Sequence, residues 1–363
     1  MSDEGVKALS YSSTFARGAA ILAVIAIHVT AGQLGAHDEG LDFHMALLIV
    51  INSLGRFAAP LFFILTAFGL GLRGLPPSAE RFNSRHLKTI LIPYFGYSIL
   101  YQLLFTFALK RSFHPGDALL GLLIGTTAAH FWFIYSLGIL VLFHRWLFGY
   151  YRLKLAGSFW TLALLGLAQI SWNVTITFLL DPSFGKPSTL LIALDHELLK
   201  HWWFFFAGYW LADNADEVLR FVQKRRMALG VLGFYLIVAA VQAWWWMRGL
   251  TRFGSLSLTP FGYTVMYAAE PFAGAAAVLL LRCFWGRAPQ RLSAICSAVG
   301  LYSYGIYYFH PIIIAVLRES LMKFGGIGFE SKVYFPIVFI GAVAITFAGI
   351  KLASRIRLVR IFT

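Results

Sequence analysis

Residues 17–28 read RGAAILAVIAIH, with ten apolar or small residues between Arg17 and His28. An apolar run of this kind predicts a membrane-spanning helix. At about 1.5 Å per residue, His28 lies roughly 16 Å beyond Arg17 along the helix axis, so Arg17 is at one membrane edge and His28 well inside. Both groups are costly in hydrocarbon, which favours a functional role. The alternative is that Arg17 extends to the lipid headgroups and His28 is a packing residue.

The composition extends this prediction to the whole chain. Of its 363 residues, 59% are hydrophobic and only 13% are charged, whereas soluble domains carry about 25% charged residues. We therefore expect an all-α polytopic membrane protein. Two cysteines, Cys283 and Cys296, indicate neither a disulfide framework nor a metal site, and the chain contains no CxxC, HExxH or P-loop motif.

About ten transmembrane helices are predicted from the apolar segments that are long enough to cross about 30 Å of hydrocarbon. They lie at about 15–33, 44–72, 87–109, 130–149, 157–180, 198–212, 226–247, 260–284, 297–318 and 333–353. The sixth segment is short, and 118–128 is a candidate re-entrant piece, so nine or eleven spans are the alternatives.

The basic residues orient these helices. With both termini in the cytoplasm, most of the 30 Lys and Arg residues fall on the cytoplasmic side, as the positive-inside rule requires. The first external loop carries Asp38, Glu39 and Asp42 and no basic residue. The net charge of +14 is thus a topology signal, and no nucleic acid partner is expected. Residues 1–363 are predicted to form a single transmembrane domain with no appended soluble domain.

Five ionisable residues are predicted at middle to outer membrane depth: His28, Arg56, His130, Glu270 and His310. Such groups are expected to face a shared polar cavity, because lipid would not tolerate them. A histidine beside a carboxylate acts as a general base, and an arginine stabilises an oxyanion. Alternatives are an Arg56–Glu270 ion pair between helices, an ordinary interfacial His130, and a His310 that bonds the carbonyl freed by Pro311. His196 and His201 are expected to lie in an outer loop.

The loop after the second span is basic and holds Arg81, Arg85 and Lys88. One hypothesis is a cytoplasmic site for a polyanion such as a nucleotide phosphate. The alternative is a positive-inside anchor, which is common in membrane proteins.

In this order along the chain, the arginine–histidine helix and several later segments resemble the acyltransferase 3 family of integral membrane acyltransferases. The later segments are RFAAPLFFILTAF (56–68), RHLK (85–88), HFWFI (130–134) and YSYGIYYFHP (302–311). Thr66–Ala67 stand where a Ser–Gly pair is usual, and Lys88 stands where the family often carries arginine.

The resemblance implies a fold of ten core helices and the transfer of an acyl group, with acetyl as the default, from cytoplasmic acyl-CoA. The expected acceptor is a hydroxyl of an exported polysaccharide or glycolipid at the external face of a bacterial inner membrane. His28 is implied as the catalytic residue, either as general base or as transient acyl carrier, and Glu270, Arg56 and His310 are assigned to assist it. Donor binding is assigned to Arg17, Arg81, Arg85 and Lys88, and acceptor binding to His130, Trp132 and Tyr307. No metal and no permanently bound cofactor is expected.

Two other functions fit the buried charges. A transporter or flippase of a small anion or glycolipid would use them as a proton relay or substrate site. A non-catalytic partner in glycan synthesis would tolerate loss of His28.

Overall fold

The computed structural model describes nine stretches of the chain, and the account below concerns these residues alone. They are 3–36, 41–74, 87–108, 114–128, 130–156, 158–179, 198–217, 225–253 and 290–356.

The described residues are helical, with no strand among them, so the all-α prediction is confirmed. The helices are α1 (Asp3–Ala36), α2 (Phe43–Gly55), α3 (Ala58–Arg73), α4 (Ile92–Leu103), α5 (Pro115–Ile124), α6 (Phe131–Leu142), α7 (His144–Tyr150), α8 (Phe159–Leu179), α9 (Leu198–Asp213), α10 (Arg225–Phe253), α11 (Gln290–Leu301), α12 (Ser303–Ser320) and α13 (Tyr334–Ala353). Short π-helical segments flank α4 (Leu87–Leu91 and Leu104–Ala108) and follow α7 (Tyr151–Leu155) and α12 (Leu321–Gly325).

Helix ends follow from local sequence. Asp42 caps α2, because its carboxylate accepts a hydrogen bond of 2.6 Å from the backbone N–H of Met45. Pro115 begins α5, where its missing N–H costs nothing. Gly125 ends α5 with φ of 74°, a left-handed conformation that glycine adopts most readily.

A helix or helix pair covers each predicted span except 260–284, which lies outside the described residues. By length and apolar composition, four of the described helical segments can cross a membrane, or up to six if each bent pair counts as one span. This supports a membrane protein. The count of ten spans and the cytoplasmic termini stay predictions.

Two predicted spans are bent rather than straight. The segment 130–149 divides into α6 and α7, which meet at 64°, and 297–318 divides near Tyr302 into α11 and α12, which meet at 87°. The second span breaks more gently between α2 and α3, at Arg56 and Phe57. Pro60 explains this break, because proline has no N–H to donate to the Arg56 carbonyl one turn earlier.

The chain divides into two compact units. The first comprises Met1–Phe62 and Ala215–Ile361, and the second comprises Phe63–Asn214. In the first unit, α1 contacts α2, α11, α12 and α13, while α10 packs on α2. In the second unit, α9 contacts α6, α7 and α8, and aromatic rings such as those of Phe63, Phe133 and Phe204 form much of the core.

Two glycines bring the backbones of α1 and α11 into close contact in the first unit. A Cβ atom added to Gly18 would lie 1.8 Å from the carbonyl oxygen of Cys296, and one added to Gly300 would lie 1.9 Å from that of Thr14. Both distances are far below van der Waals contact, so only glycine permits this approach. Small residues at such crossings let membrane helices pack closely.

We expect Gly18→Ala to lower the free energy of unfolding by about 1–3 kcal/mol, because the added methyl group forces α1 and α11 apart. Gly69→Ala is the control, since its Cβ would meet nothing within 4 Å, and the better helix propensity of alanine should leave stability equal or higher. Thermal unfolding in detergent measures both. A Gly18→Ala protein as stable as the wild type would contradict the backbone contact.

Candidate active site

The predicted catalytic histidines meet in the first unit. His28 is half-buried on α1 and His310 is fully buried on α12. Their ring centroids are 5.1 Å apart with an angle of 51° between the planes. The sequence separates these residues by most of the chain, and the packing of α12 on α1 brings them together.

The main chain fixes the protonation pattern of His310. Its Nδ1 lies 3.1 Å from the carbonyl oxygen of Ile306, and a carbonyl only accepts, so Nδ1 carries the hydrogen and donates it. The lone pair of the neutral ring is therefore on Nε2, which is the atom able to accept a proton. The hydrogen-bonded carbonyl precedes that of Tyr307, the one that Pro311 deprives of its helical donor. The hydrogen bond to Ile306 is therefore not a replacement for the N–H that proline lacks.

Asn52 connects α2 to the turn of α1 that carries His28. Its side-chain amide donates to the carbonyl oxygen of Ile27 at 3.2 Å and to Oγ1 of Thr30 at 2.8 Å. Its carbonyl oxygen accepts a hydrogen bond of 3.1 Å from Nε of Arg56. Asn52 is 1% exposed, so these bonds lie in the interior and hold the guanidinium group beside the histidine turn.

Arg56 occupies the break between α2 and α3 and is half-buried. Its guanidinium carbon lies 5.2 Å from the ring centroid of Trp246 on α10, a cation–π contact. Asn52 on one side and Trp246 on the other fix the position of the guanidinium group. Its positive charge is permanent, because arginine is not deprotonated in proteins. A charge held in this way stabilises an oxyanion without reorganisation.

Of the residues assigned to acceptor binding, Tyr307 lies beside the pair formed by His28 and His310. It is buried, and its ring centroid lies 5.8 Å from that of His310.

His130 and Trp132 belong to the second unit. His130 is buried against the rings of Tyr101 and Phe131. Trp132 stacks on His201 at 5.1 Å, and Phe63 stacks on His201 at 4.8 Å. The expectation that His201 lies in an outer loop is therefore wrong, because its ring is buried in α9 among aromatic side chains. Acceptor binding by His130 and Trp132 stays a prediction.

The donor-binding residues are only partly described. Arg17 is half-buried on α1, next to the glycine that contacts α11. Lys88 is exposed in the π-helical segment before α4. Arg81 and Arg85 lie outside the described residues, as does Glu270. Within the described stretches, no three His, Cys, Asp or Glu side chains come together as a metal site would require.

Sequence reasoning missed Asn52, and it named Trp246 only among the external tryptophans that could stack on sugar rings, not as a partner of Arg56. An asparagine inside an apolar span, one helical turn before Arg56, is the signal that identifies Asn52, because side chains four residues apart share a helix face. No such local signal exists for Trp246, since its role depends on how α10 packs against α2.

A family model described as an acyltransferase domain, that of the acyltransferase 3 family, matches residues 10–351 of the chain. Searches with this chain found no matching curated protein and no matching solved structure.

We expect Asn52→Leu to lower the free energy of unfolding by about 1–3 kcal/mol, because leucine keeps the volume but leaves the buried groups on α1 and Arg56 without this partner. Asn214→Leu is a milder control, since that half-buried amide donates to Trp210 within its own helical turn. Chemical unfolding of both variants measures the difference. Equal losses would contradict a special role for Asn52.

The ¹⁵N spectrum of histidine-labelled protein is expected to show His310 protonated at Nδ1. The signal is assigned by its disappearance in His310→Gln. A neutral ring protonated at Nε2 would contradict the hydrogen bond to Ile306.

Proposed function

The chain belongs to the acyltransferase 3 family, and on that basis we propose that it moves an acyl group from acyl-CoA to a hydroxyl group of an exported polysaccharide or glycolipid. Acetyl is the expected acyl group, and a bacterial inner membrane is the expected location. The acyl-CoA approaches from the cytoplasm and the acceptor from the external face. Apolar helices and a membrane acyltransferase family support the membrane setting.

The contact between His28 and His310 is the observation that carries this proposal. Transfer to a hydroxyl needs a base, because the oxygen attacks the thioester carbon only as it loses its proton. In the proposed reaction, His28 takes this proton and the new carbon–oxygen bond forms. The carbon–sulfur bond then breaks, and the proton passes to the thiolate of coenzyme A. His310, in ring contact with His28, provides a second base.

Arg56 is assigned to the negative charge that develops on the carbonyl oxygen during attack. Its hydrogen bond to Asn52 and its contact with Trp246 support this assignment, because they orient the guanidinium before the substrate arrives. Asn52 acts as a positioning residue that ties Arg56 to the turn containing His28.

Arg17 and the basic residues Arg81, Arg85 and Lys88 are proposed to bind the phosphates of coenzyme A. Arginine suits this role because its planar fork matches phosphate oxygens. The distance of roughly 16 Å between Arg17 and His28 along the helix is one that an extended, flexible donor arm must span.

The deciding experiment is acyl transfer by nanodisc-held protein supplied with radiolabelled acetyl-CoA and a crude membrane glycan extract. We expect His28→Ala and His310→Ala each to reduce label in the glycan fraction at least about 100-fold, the usual effect of losing acid–base catalysis. His114→Ala, which removes an exposed histidine before α5, should transfer label at the wild-type rate.

Label that stays on the protein after quenching, and that disappears in His28→Ala, would identify an acyl-histidine in place of direct transfer. Absence of transfer and of acyl-CoA binding with every short acyl chain would overturn the proposal. Full activity of His28→Ala would overturn the assignment of the base.

A further inference from the structure

The interface between α2 and α10 carries three buried side chains with polar atoms that the acyl-transfer chemistry above does not use; of Trp246, that chemistry uses only the ring face. Ser53 lies on α2, and Gln242 and Trp246 lie on α10. They are 1%, 3% and 7% exposed, respectively, so each is more than nine-tenths buried.

The register of the two helices places these groups on the facing sides of α2 and α10. At one end, the hydroxyl of Tyr235 donates to the carbonyl oxygen of Leu54. At the other end, Trp246 packs in one cluster with Met45 and Ile49. The helices are therefore antiparallel over this stretch. Gln242 lies between Tyr235 and Trp246 on the same face of α10.

Ser53 lies on the face of α2 that is turned toward α10. It follows Ile49 by one helical turn and precedes Arg56 by another, so these three residues share a face. Because Ile49 and Arg56 both contact Trp246 or its cluster, this is the face that α10 covers.

Each of the three side chains has a polar atom that no described group satisfies. Within the described part of the chain, nothing hydrogen-bonds to Oγ of Ser53, Nε2 of Gln242 or Nε1 of Trp246. Burying such atoms without partners destabilises a protein. Three of them in one helix interface indicate that a partner beyond the described residues completes the hydrogen bonds.

The hydrogen-bonding groups of these three side chains indicate which class of ligand would fit them. The amide and indole nitrogens donate, the serine hydroxyl both donates and accepts, and all three are neutral. They lie on two helices, so they suit a ligand with several oxygen atoms spread over one ring. The guanidinium of Arg56 covers the face of Trp246, while the indole N–H is at the ring edge and stays available beside it.

We propose that Ser53, Gln242 and Trp246 form a subsite for the sugar ring of the acceptor. This inference rests on the proposed function, because it places the acceptor next to Arg56 and hence next to the turn that carries His28. Half-buried Arg56 marks the side from which the ring enters.

Two substitutions test the subsite, of which Gln242→Leu keeps the side-chain volume and Trp246→Phe makes the ring smaller. Trp246→Phe keeps an aromatic face for Arg56 and removes the N–H, and Gln242→Leu removes the amide. Trp244→Phe is the matched control, because Trp244 is on the same helix under Arg248 at 5.1 Å but is 49% exposed.

The first measurement is equilibrium binding of a radiolabelled membrane glycan extract to nanodisc-held protein without acyl-CoA. We expect Trp246→Phe and Gln242→Leu each to weaken binding about tenfold, as loss of one buried hydrogen bond does, and Trp244→Phe to bind as the wild type. Methyl glucoside should compete with the glycan and acetate should not. The melting temperature of Gln242→Leu should be unchanged or raised, because an unsatisfied buried donor is replaced by an apolar group of similar volume. The melting temperature of Trp246→Phe should fall modestly, because the smaller ring leaves a cavity.

Unchanged glycan binding in both variants would overturn the inference and leave ordered water as the partner of these groups. A loss of binding in Gln242→Leu that comes with a lowered melting temperature would also overturn it, since the role of the amide would then be structural. The consumption of acetyl-CoA, measured in the same samples, tests the proposed function separately. Glycan binding that depends on Trp246, without turnover or binding of any short-chain acyl-CoA, would support the subsite and refute the transferase.

Discussion

The backbone contact between α1 and α11 is the constraint on which the arrangement of the first unit depends. Gly18 and Gly300 let two carbonyl groups occupy space that any side chain would fill. Arg17 adjoins this contact and His28 follows on the same helix. The contact therefore fixes the position of the helix that carries both groups. The other face of α1 is then available to α2, α12 and α13. The candidate active site is thus a consequence of helix packing rather than of any local motif.

Polar groups in the first unit are tied to one another and to main-chain carbonyls in a way that suits an apolar surrounding. The hydroxyl of Thr30 donates within its own helix, and the amide of Asn52 then reaches Ile27 and Thr30. Arg56 donates to Asn52 and rests on Trp246. In a membrane each unsatisfied polar group is costly, so such a network stabilises one arrangement of α1, α2 and α10 and excludes others. The same network orients the groups to which we assign catalysis.

Much of the fold was predictable because apolar length and basic residues are signals that a sequence carries directly. The helical class and the family both followed from it, as the helices of the described residues and the match over residues 10–351 show. The bend near Tyr302 and the burial of His201 did not, because both depend on which helices pack together. The ring contact of His28 with His310 brings together two of the five predicted polar residues, and the shared cavity stays a prediction. Glu270 lies outside the described residues, and Asn52 and Trp246 became visible only through their partners.

The hydrogen bond from His310 to Ile306 has an evolutionary consequence. The acceptor is a peptide carbonyl, which every amino acid supplies, so no substitution at position 306 deletes it. Substitutions at position 306 change the side-chain volume but leave the hydrogen bond that orients the imidazole of His310. A hydrogen bond to the main chain is thus insensitive to point mutations at the acceptor residue. Selection must preserve the helix itself rather than a particular neighbouring side chain.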